Sequence, residues 1–475
     1  MSKVITIDPV TRVEGHGKVS IFINDRGQVE SAQFHVQEFR GFEKFCEGRM
    51  VWEMPVITPR ICGICPVSHH LAAAKACDDL LQPQLPPAAA MLRELMHMGQ
   101  TIHSHALHFF YLAAPDFLFG IGAPPAQRNV LGMAQADPEL AKKAIRLRQI
   151  GQAIVERVGG RAIHPVAAIP GGMSKALTHK ERFDSLHDIR EALPLAQMAV
   201  ELCRQLLEKN AELVAEFPDV ETMYIGMVKD GAVELYDGQV LLYAADGSPV
   251  TTFAPAAYLD NIVEHVETFS YMKFPYYRGL GWPDGIYRTG PLGRLNVADR
   301  MATPLANEAF KMFKALGYGK PVHGSLYTHY ARMIEVLYAV ERAQELLQDD
   351  RIVAQDVRTQ VWRQGGEGIG VIEAPRGLLI HHYWADDTGK LEKANIIVAT
   401  AHNNGAINKL VAQVAAKYMS GTDTPQEKFL NMIEVAIRCY DPCLSCSTHQ
   451  VGKMPLMVEI RNQAGELVQE LRRDA

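Results

Sequence analysis

Hydrophobic spacing switches between two periods along this chain. The segments Lys18 to Asn24 and Val29 to Val36 alternate as strands do. Asn24-Asp25-Arg26-Gly27 between them is a turn signal, so residues 4–38 read as β structure. After Cys65 the period lengthens. Pro66 suits the first position of a helix, the Ala-rich run His69 to Leu81 continues it, and Pro83, Pro86 and Pro87 end it. From Ala88 to Ala113, Leu92, Leu95, Met96, Gly99, Ile102, Ala106, Phe109 and Phe110 recur at helical spacing. Further helices are predicted over 138–158, 186–217, 300–316, 329–349, 404–420 and 424–438.

Three stretches break this helical pattern. Pro115 to Pro125 reads as a Pro/Gly-rich connection, and 273–293, aromatic and rich in Gly and Pro, as an ordered loop. Residues 219–253 read as short strands with turns at Asp237-Gly238 and Asp246-Gly247. A second hairpin is predicted from Leu378 to Trp384 and Leu391 to Ala399, and a small one within 455–468. The expected fold is mainly α, of the α+β kind: a large helical body with small peripheral β-hairpins, in one unit.

Composition adds exclusions. Apolar residues make up 48%, charged residues 21%, and the net charge is −6. Without a basic run, nucleic-acid binding has no electrostatic footing. No stretch reaches the apolar length of a membrane span, and Met1 to Asp8 passes straight into a strand-like run without a signal-peptide core. The expectation is a cytoplasmic protein with no membrane partner.

Eight cysteines change the picture. Four form two C-x-x-C pairs, Cys62/Cys65 and Cys443/Cys446, with 377 residues between Cys65 and Cys443. Each spacing lets two sulfurs reach one metal. Cys65 also lies at a helix N-terminus, where the dipole favours thiolate. Two such pairs alone suggest structural zinc, but zinc pairs normally stand some 15–20 residues apart and organise a small domain. Soft thiolates equally suit nickel and iron. Cys46, Cys77, Cys203 and Cys439 read as small buried apolar residues. His97, His103, His105 and His108 have mixed helical spacings and read as packed histidines rather than ligands.

Arg60-Ile61-Cys62-Gly63-Ile64-Cys65-Pro66-Val67-Ser68-His69 and Asp441-Pro442-Cys443-Leu444-Ser445-Cys446-Ser447-Thr448-His449 resemble the two signatures of the large subunit of nickel–iron hydrogenases. Arg12-Val13-Glu14-Gly15-His16, Arg40-Gly41-Phe42-Glu43 and Ala374-Pro375-Arg376-Gly377 match further blocks in the same order. The resemblance spans nearly the whole chain and is nearest to the cytoplasmic, bidirectional NAD-linked group.

The resemblance implies a set of roles. Cys62, Cys65, Cys443 and Cys446 would bind nickel, with Cys65 and Cys446 bridging to an iron that carries carbon monoxide and two cyanides. Dihydrogen would be cleaved heterolytically, with Cys446 or Arg376 as candidate base. Glu14 would relay protons from the terminal cysteine; the plain alternative is a salt bridge to Arg12. His69 would donate to a bridging sulfur. Pro375, Arg376 and Thr400 would face the diatomic ligands, although Ala399 stands where the commoner pattern has proline. Asp116 lies near a position that supports the arginine. Glu43, a carbonyl near Val398, and His449 would hold magnesium or a second iron.

The same resemblance implies partners. A flavin-containing diaphorase and an iron–sulfur small subunit would carry electrons to NAD, since the chain has no nicotinamide-binding unit. Gly365-Gly366-Glu367-Gly368-Ile369-Gly370 is Gly-rich but lacks the strand–turn–helix context. Nickel-insertion chaperones and a maturation endopeptidase are implied, the latter cutting after His449. That divides the chain into a domain over 1–449 and an extension over 450–475. The competing readings are an NADP-linked or other-carrier hydrogenase and a zinc-bound scaffold. A quinone-binding subunit of the respiratory NADH dehydrogenase complex is disfavoured because all four cysteines are present.

Overall fold

The computed structural model describes residues 3–36, 41–362, 365–421, 426–444, 456–462 and 467–473. Its centre is a group of long helices. Pro66–Leu81 and Pro87–Ala106 each begin on a proline, whose fixed φ and missing N–H cost nothing in a first turn. Pro138–Gly159 and His179–Lys209 follow, and Thr328–Gln348 packs against Pro87–Ala106 and His179–Lys209. The His179–Lys209 helix opens on a capping box. Thr178 Oγ1 accepts from the Glu181 amide at 3.1 Å, and the Glu181 carboxylate accepts from the Thr178 amide at 2.9 Å.

Helix Pro87–Ala106 crosses Pro138–Gly159 at a pair of glycines. A Cβ on Gly99 would stand 2.9 Å from the Gly151 carbonyl, and one on Gly151 2.7 Å from the Gly99 carbonyl. Only hydrogen at both positions permits that approach. Beyond Ala106 the helix widens into a π-turn, Leu107–Ala113, before Ala114–Phe119. The segment read as an irregular connection from Pro115 is therefore helical at its start, with Pro115 in a first turn, and Gly120 ends it at φ 85°.

The sheets are small and peripheral. Gly17–Ile23 and Val29–Val36 pair antiparallel, as their alternation predicts. Lys3–Ile7 joins Gly17–Ile23 on one side and the C-terminal strand Leu456–Asn462 on the other, with Leu467–Arg473 outermost. The predicted hairpin at 378–399 is a three-stranded sheet: Gly366–Ala374, Gly377–Ala385 and Leu391–Ile397. The first strand went unread because its glycines masked the alternation. The region 273–293 is not all loop. It contains the strands Phe274–Tyr277 and Tyr287–Arg288 and the start of helix Pro291–Val297. Among the described residues, no helix is long and apolar enough to cross a membrane.

Candidate metal centre

The two ends of the chain meet beside the N-terminus of helix Pro66–Leu81. Cys65 is the residue before its first turn. The Ile64 and Cys65 amides each donate to Cys62 Sγ at 3.3 Å. Cys443 arrives from helix Glu427–Cys439 through a short turn in which Asp441 takes φ 50°. Its amide donates to Thr400 Oγ1 at 3.0 Å, and the next amide, Leu444, donates to the Glu14 carbonyl at 2.8 Å. Cys62 Sγ and Cys443 Sγ stand 3.0 Å apart, and one sulfur from each of Cys62, Cys65 and Cys443 lies within 4.8 Å of the others. Cys446 and His449 lie outside the described residues.

Thiols packed this closely oppose one another's ionisation. The Cys443 thiol is pushed well above its ordinary value by its neighbours Cys62 and Cys65 and by burial. A bound cation would remove that cost, so the donor set fits a soft metal ion. Arg376 lies alongside. Its Nε donates to the Asp441 carbonyl at 2.7 Å and its Nη2 to Asp441 Oδ1 at 3.0 Å. Its buried Nη1 has no acceptor among the described residues, and the side chain lines the same cavity as the sulfurs. An uncommitted guanidinium N–H there calls for an acceptor group on the metal side. Burial works against the Arg376 charge, but Asp441 and the three sulfurs outweigh it and hold the guanidinium well above its ordinary value.

The cavity measures about 300 Å³. His69, Glu43, Val398 and Thr400 line it together with Cys62, Cys65, Cys443 and Arg376. Glu43 is anchored there by accepting from the Ile396 amide at 2.9 Å. Glu14 is 2% exposed and pairs with Cys443 across a one-residue parallel β-bridge. Pro375 is fixed from behind, since Arg294 donates to the Ala374 carbonyl at 3.0 Å and to the Pro375 carbonyl at 3.3 Å. Eight of the sequence-predicted residues thus share one cavity. Glu14 and Pro375 flank it through their backbones.

Two expectations take a different form. The plain alternative for Glu14 is a salt bridge to Arg12; among the described residues Arg12 instead pairs with Asp116 and donates to the Leu112 carbonyl at 2.8 Å. Asp116 does not support Arg376. It joins Arg12, Arg128 at 3.1 Å and Arg438 at 3.0 Å. Burial alone would raise the Asp116 carboxyl, but these guanidiniums hold it below the usual carboxylate range. Arg438 also donates to the Thr11 carbonyl, and Glu434 accepts from the Thr11 amide at 2.7 Å. This buried knot ties the loop carrying Glu14 to the helix that delivers Cys443. Isolated Arg and Glu residues in a helical pattern gave no sign of it.

The remaining cysteines and histidines behave as core. Burial raises Cys46 to about 11 and Cys439 to about 12, which suits inert thiols. His97 Nε2 bonds the Glu373 carbonyl at 2.8 Å, and His105 Nε2 bonds Glu335 at 2.9 Å. Among the described residues, the cysteine cluster is the sole group of metal-ligating side chains.

A family model described as nickel-dependent hydrogenase matches residues 40–143 and 231–449. The chain belongs to the nickel-dependent hydrogenases. A second model, described as HoxL-like, matches residues 4–39 of this hydrogenase chain. The NAD-reducing hydrogenase HoxS subunit beta of Cupriavidus necator is 44% identical over 487 residues, covering 99% of both chains. The vhu F420-non-reducing hydrogenase subunit of Methanococcus voltae is 48% identical over 411 residues, covering 86% of this chain and 98% of its own. An NAD+-reducing [NiFe]-hydrogenase crystallised in the H2-reduced state matches with a TM-score of 0.90 at 46% identity, over 94% of this chain and 99% of that one. The Ni-Fe-Se hydrogenase from D. vulgaris Hildenborough, at 23% identity and a TM-score of 0.77, shares the fold. The fold is accordingly that of the hydrogenase large subunit.

Proposed function

We propose that this hydrogenase large subunit cleaves dihydrogen heterolytically and reversibly, and passes the electrons through partner subunits to NAD. The observation that carries the reading is the convergence of Cys62, Cys65 and Cys443 within 4.8 Å of one another beside Arg376. Cys446 would complete the set as a fourth thiolate. These cysteines would hold a nickel ion and an iron bearing carbon monoxide and two cyanides, and that group would supply the redox and Lewis-acid chemistry.

The chain's own groups bind, orient and move protons. Arg376, kept charged by Asp441 and the sulfurs, offers Nη1 as a donor to a cyanide. A guanidinium held so firmly charged serves better as a donor than as a base, which leaves the Cys446 thiolate as the base. Glu14, whose carbonyl accepts from the Leu444 amide, takes the proton onward. Thr400 accepts from the Cys443 amide and would keep its own proton for a cyanide, while Pro375 would shape that wall. Glu43, the Val398 carbonyl and His449 would hold magnesium or a second iron.

The acceptor reading rests on the NAD-reducing relative and on the solved NAD+-reducing hydrogenase. The F420-non-reducing relatives support a second reading with another carrier. The relatives are named as subunits, which supports a heteromeric complex; a flavin diaphorase and an iron–sulfur small subunit as its members belong to this proposal. Cytoplasmic location, metal-inserting chaperones and endopeptidase cleavage after His449 belong to the same proposal. The test is hydrogen-dependent reduction of NAD, NADP and a viologen dye by the purified complex, with metal analysis of the same sample. Stoichiometric nickel together with NADH formation supports the reading. Viologen reduction without NADH moves the acceptor to another carrier, and stoichiometric zinc without nickel rejects the centre.

A further inference from the structure

The Gly377–Ala385 strand sends alternate side chains to opposite faces. His382 turns to one, bonding the Tyr258 hydroxyl at 2.8 Å and Glu367 at 2.7 Å. His381 and Tyr383 turn to the other, against helix Pro66–Leu81, which carries His69 one turn after Cys65. The three groups form a row. His69 Nδ1 lies 3.1 Å from His381 Nε2, and His381 Nδ1 lies 2.6 Å from the Tyr383 hydroxyl. His69 is 3% exposed and the other two are fully buried. Burial, with His69 alongside, holds His381 well below its ordinary value, so the ring is neutral. A neutral imidazole donates from one nitrogen and accepts at the other.

The row therefore has a direction. If Tyr383 donates to His381 Nδ1, then His381 Nε2 donates to His69 Nδ1. The His69 proton then sits on Nε2, the remaining nitrogen of a ring lining the sulfur cavity. In the reverse order Tyr383 donates to its other neighbour, Thr58, whose own proton is committed to the Met54 carbonyl at 2.8 Å. His69 would then carry a bare nitrogen at Nε2 in a cavity it shares with three cysteines, where it could offer a thiolate only repulsion between lone pairs. The sulfur end selects the first order, and Tyr383 provides the proton that starts it.

We propose that His381 and Tyr383 are positioning residues that fix His69 as an Nε2–H donor to the cysteine sulfurs. They set the electron density of the metal centre without touching it. A hydrogen bond to a thiolate withdraws density from the sulfur and so from the metal. This inference rests on the proposed nickel–iron centre.

The test is infrared spectroscopy of the holoenzyme complex in wild type, His69→Leu, His381→Leu and Tyr383→Phe. Losing the donor to sulfur enriches the iron and weakens its carbonyl bond. His69→Leu is thus expected to lower the carbonyl stretch, and His381→Leu and Tyr383→Phe to lower it by most of the same shift with nickel content unchanged. Wild-type frequencies in both His381→Leu and Tyr383→Phe, beside a shifted His69→Leu, would overturn the assignment. So would failure of both variants to load metal, since a positioning role leaves the ligands in place. Absence of the bands in nickel-loaded wild type rejects the iron–carbonyl reading itself.

Discussion

Arg294 holds three parts of the protein at one point. Its guanidinium pairs with Glu335 at 2.6 Å and Glu373 at 2.7 Å, and also donates to the Ala374 and Pro375 carbonyls. All three side chains are buried. The two carboxyls respond oppositely: burial raises Glu373 to about 7, while Arg294 overcomes burial and holds Glu335 down at about 2. The split matches geometry, since Glu335 faces both arms of the guanidinium and also His105. Replacing Arg294 with Leu leaves two buried carboxyls without their cation, a change that costs about 3–5 kcal/mol. Arg294→Leu is expected to lower the thermal midpoint by several degrees and to cut hydrogen uptake, because the wall next to Arg376 loses its backing. An unchanged midpoint would show that the triad is not a stabilising unit.

At the scale of elements, the site depends on how closely helix Pro66–Leu81 lies on strand Gly366–Ala374. Gly368 and Gly370 make that contact. A Cβ on Gly370 would stand 2.1 Å from the Ala72 carbonyl, and one on Gly368 2.2 Å from the Ala76 carbonyl. Gly370→Ala must push the helix off the strand, and with it Cys65 and His69. The expected cost is about 1–3 kcal/mol or more, with nickel occupancy reduced in the purified chain. Wild-type nickel content at wild-type stability would contradict the argument. The same glycines mark where sequence reading stops. Helices with regular apolar spacing, both Cys pairs and most cavity residues were legible, because period and motif are local properties. The Gly365–Gly370 run reads only as Gly-rich without a strand–turn–helix context, since its purpose is visible only once a helix lies across it. The π-turn at Leu107–Ala113, the Asp116 knot and the His381–Tyr383 row were equally out of reach. The knot and the row are defined by partners distant in sequence, and the π-turn by a one-residue widening that helical spacing does not register.

For the whole molecule, buried neutral histidines set the acid limit. Burial lowers His70, His97 and His105 to about 4, and His103 and His402 to about 3. Unfolded imidazoles titrate near 6.5. Between pH 6.5 and about 4 the unfolded chain therefore binds more protons than the folded one, and stability rises with pH. Each such histidine withdraws about 1.4 kcal/mol per pH unit on acidification through that window. Glu373, raised to about 7, acts oppositely and offsets one of them. The thermal midpoint is expected to fall steeply from pH 6.5 to pH 5. A flat profile over that interval would mean that these rings are already protonated in the fold.

The hydrogen bond from Leu444 to Glu14 spans 430 positions, and strand Lys3–Ile7 is completed by strand Leu456–Asn462. A ribosome adding 5–20 residues per second takes roughly half a minute or longer to make such a chain. For most of that interval Cys62 and Cys65 are already exposed to the cell while the residues that complete their site do not yet exist. The cleft cannot be assembled as the chain emerges. It closes only after Cys443 and Leu444 have left the tunnel, so the three thiols come together late in the life of the nascent chain.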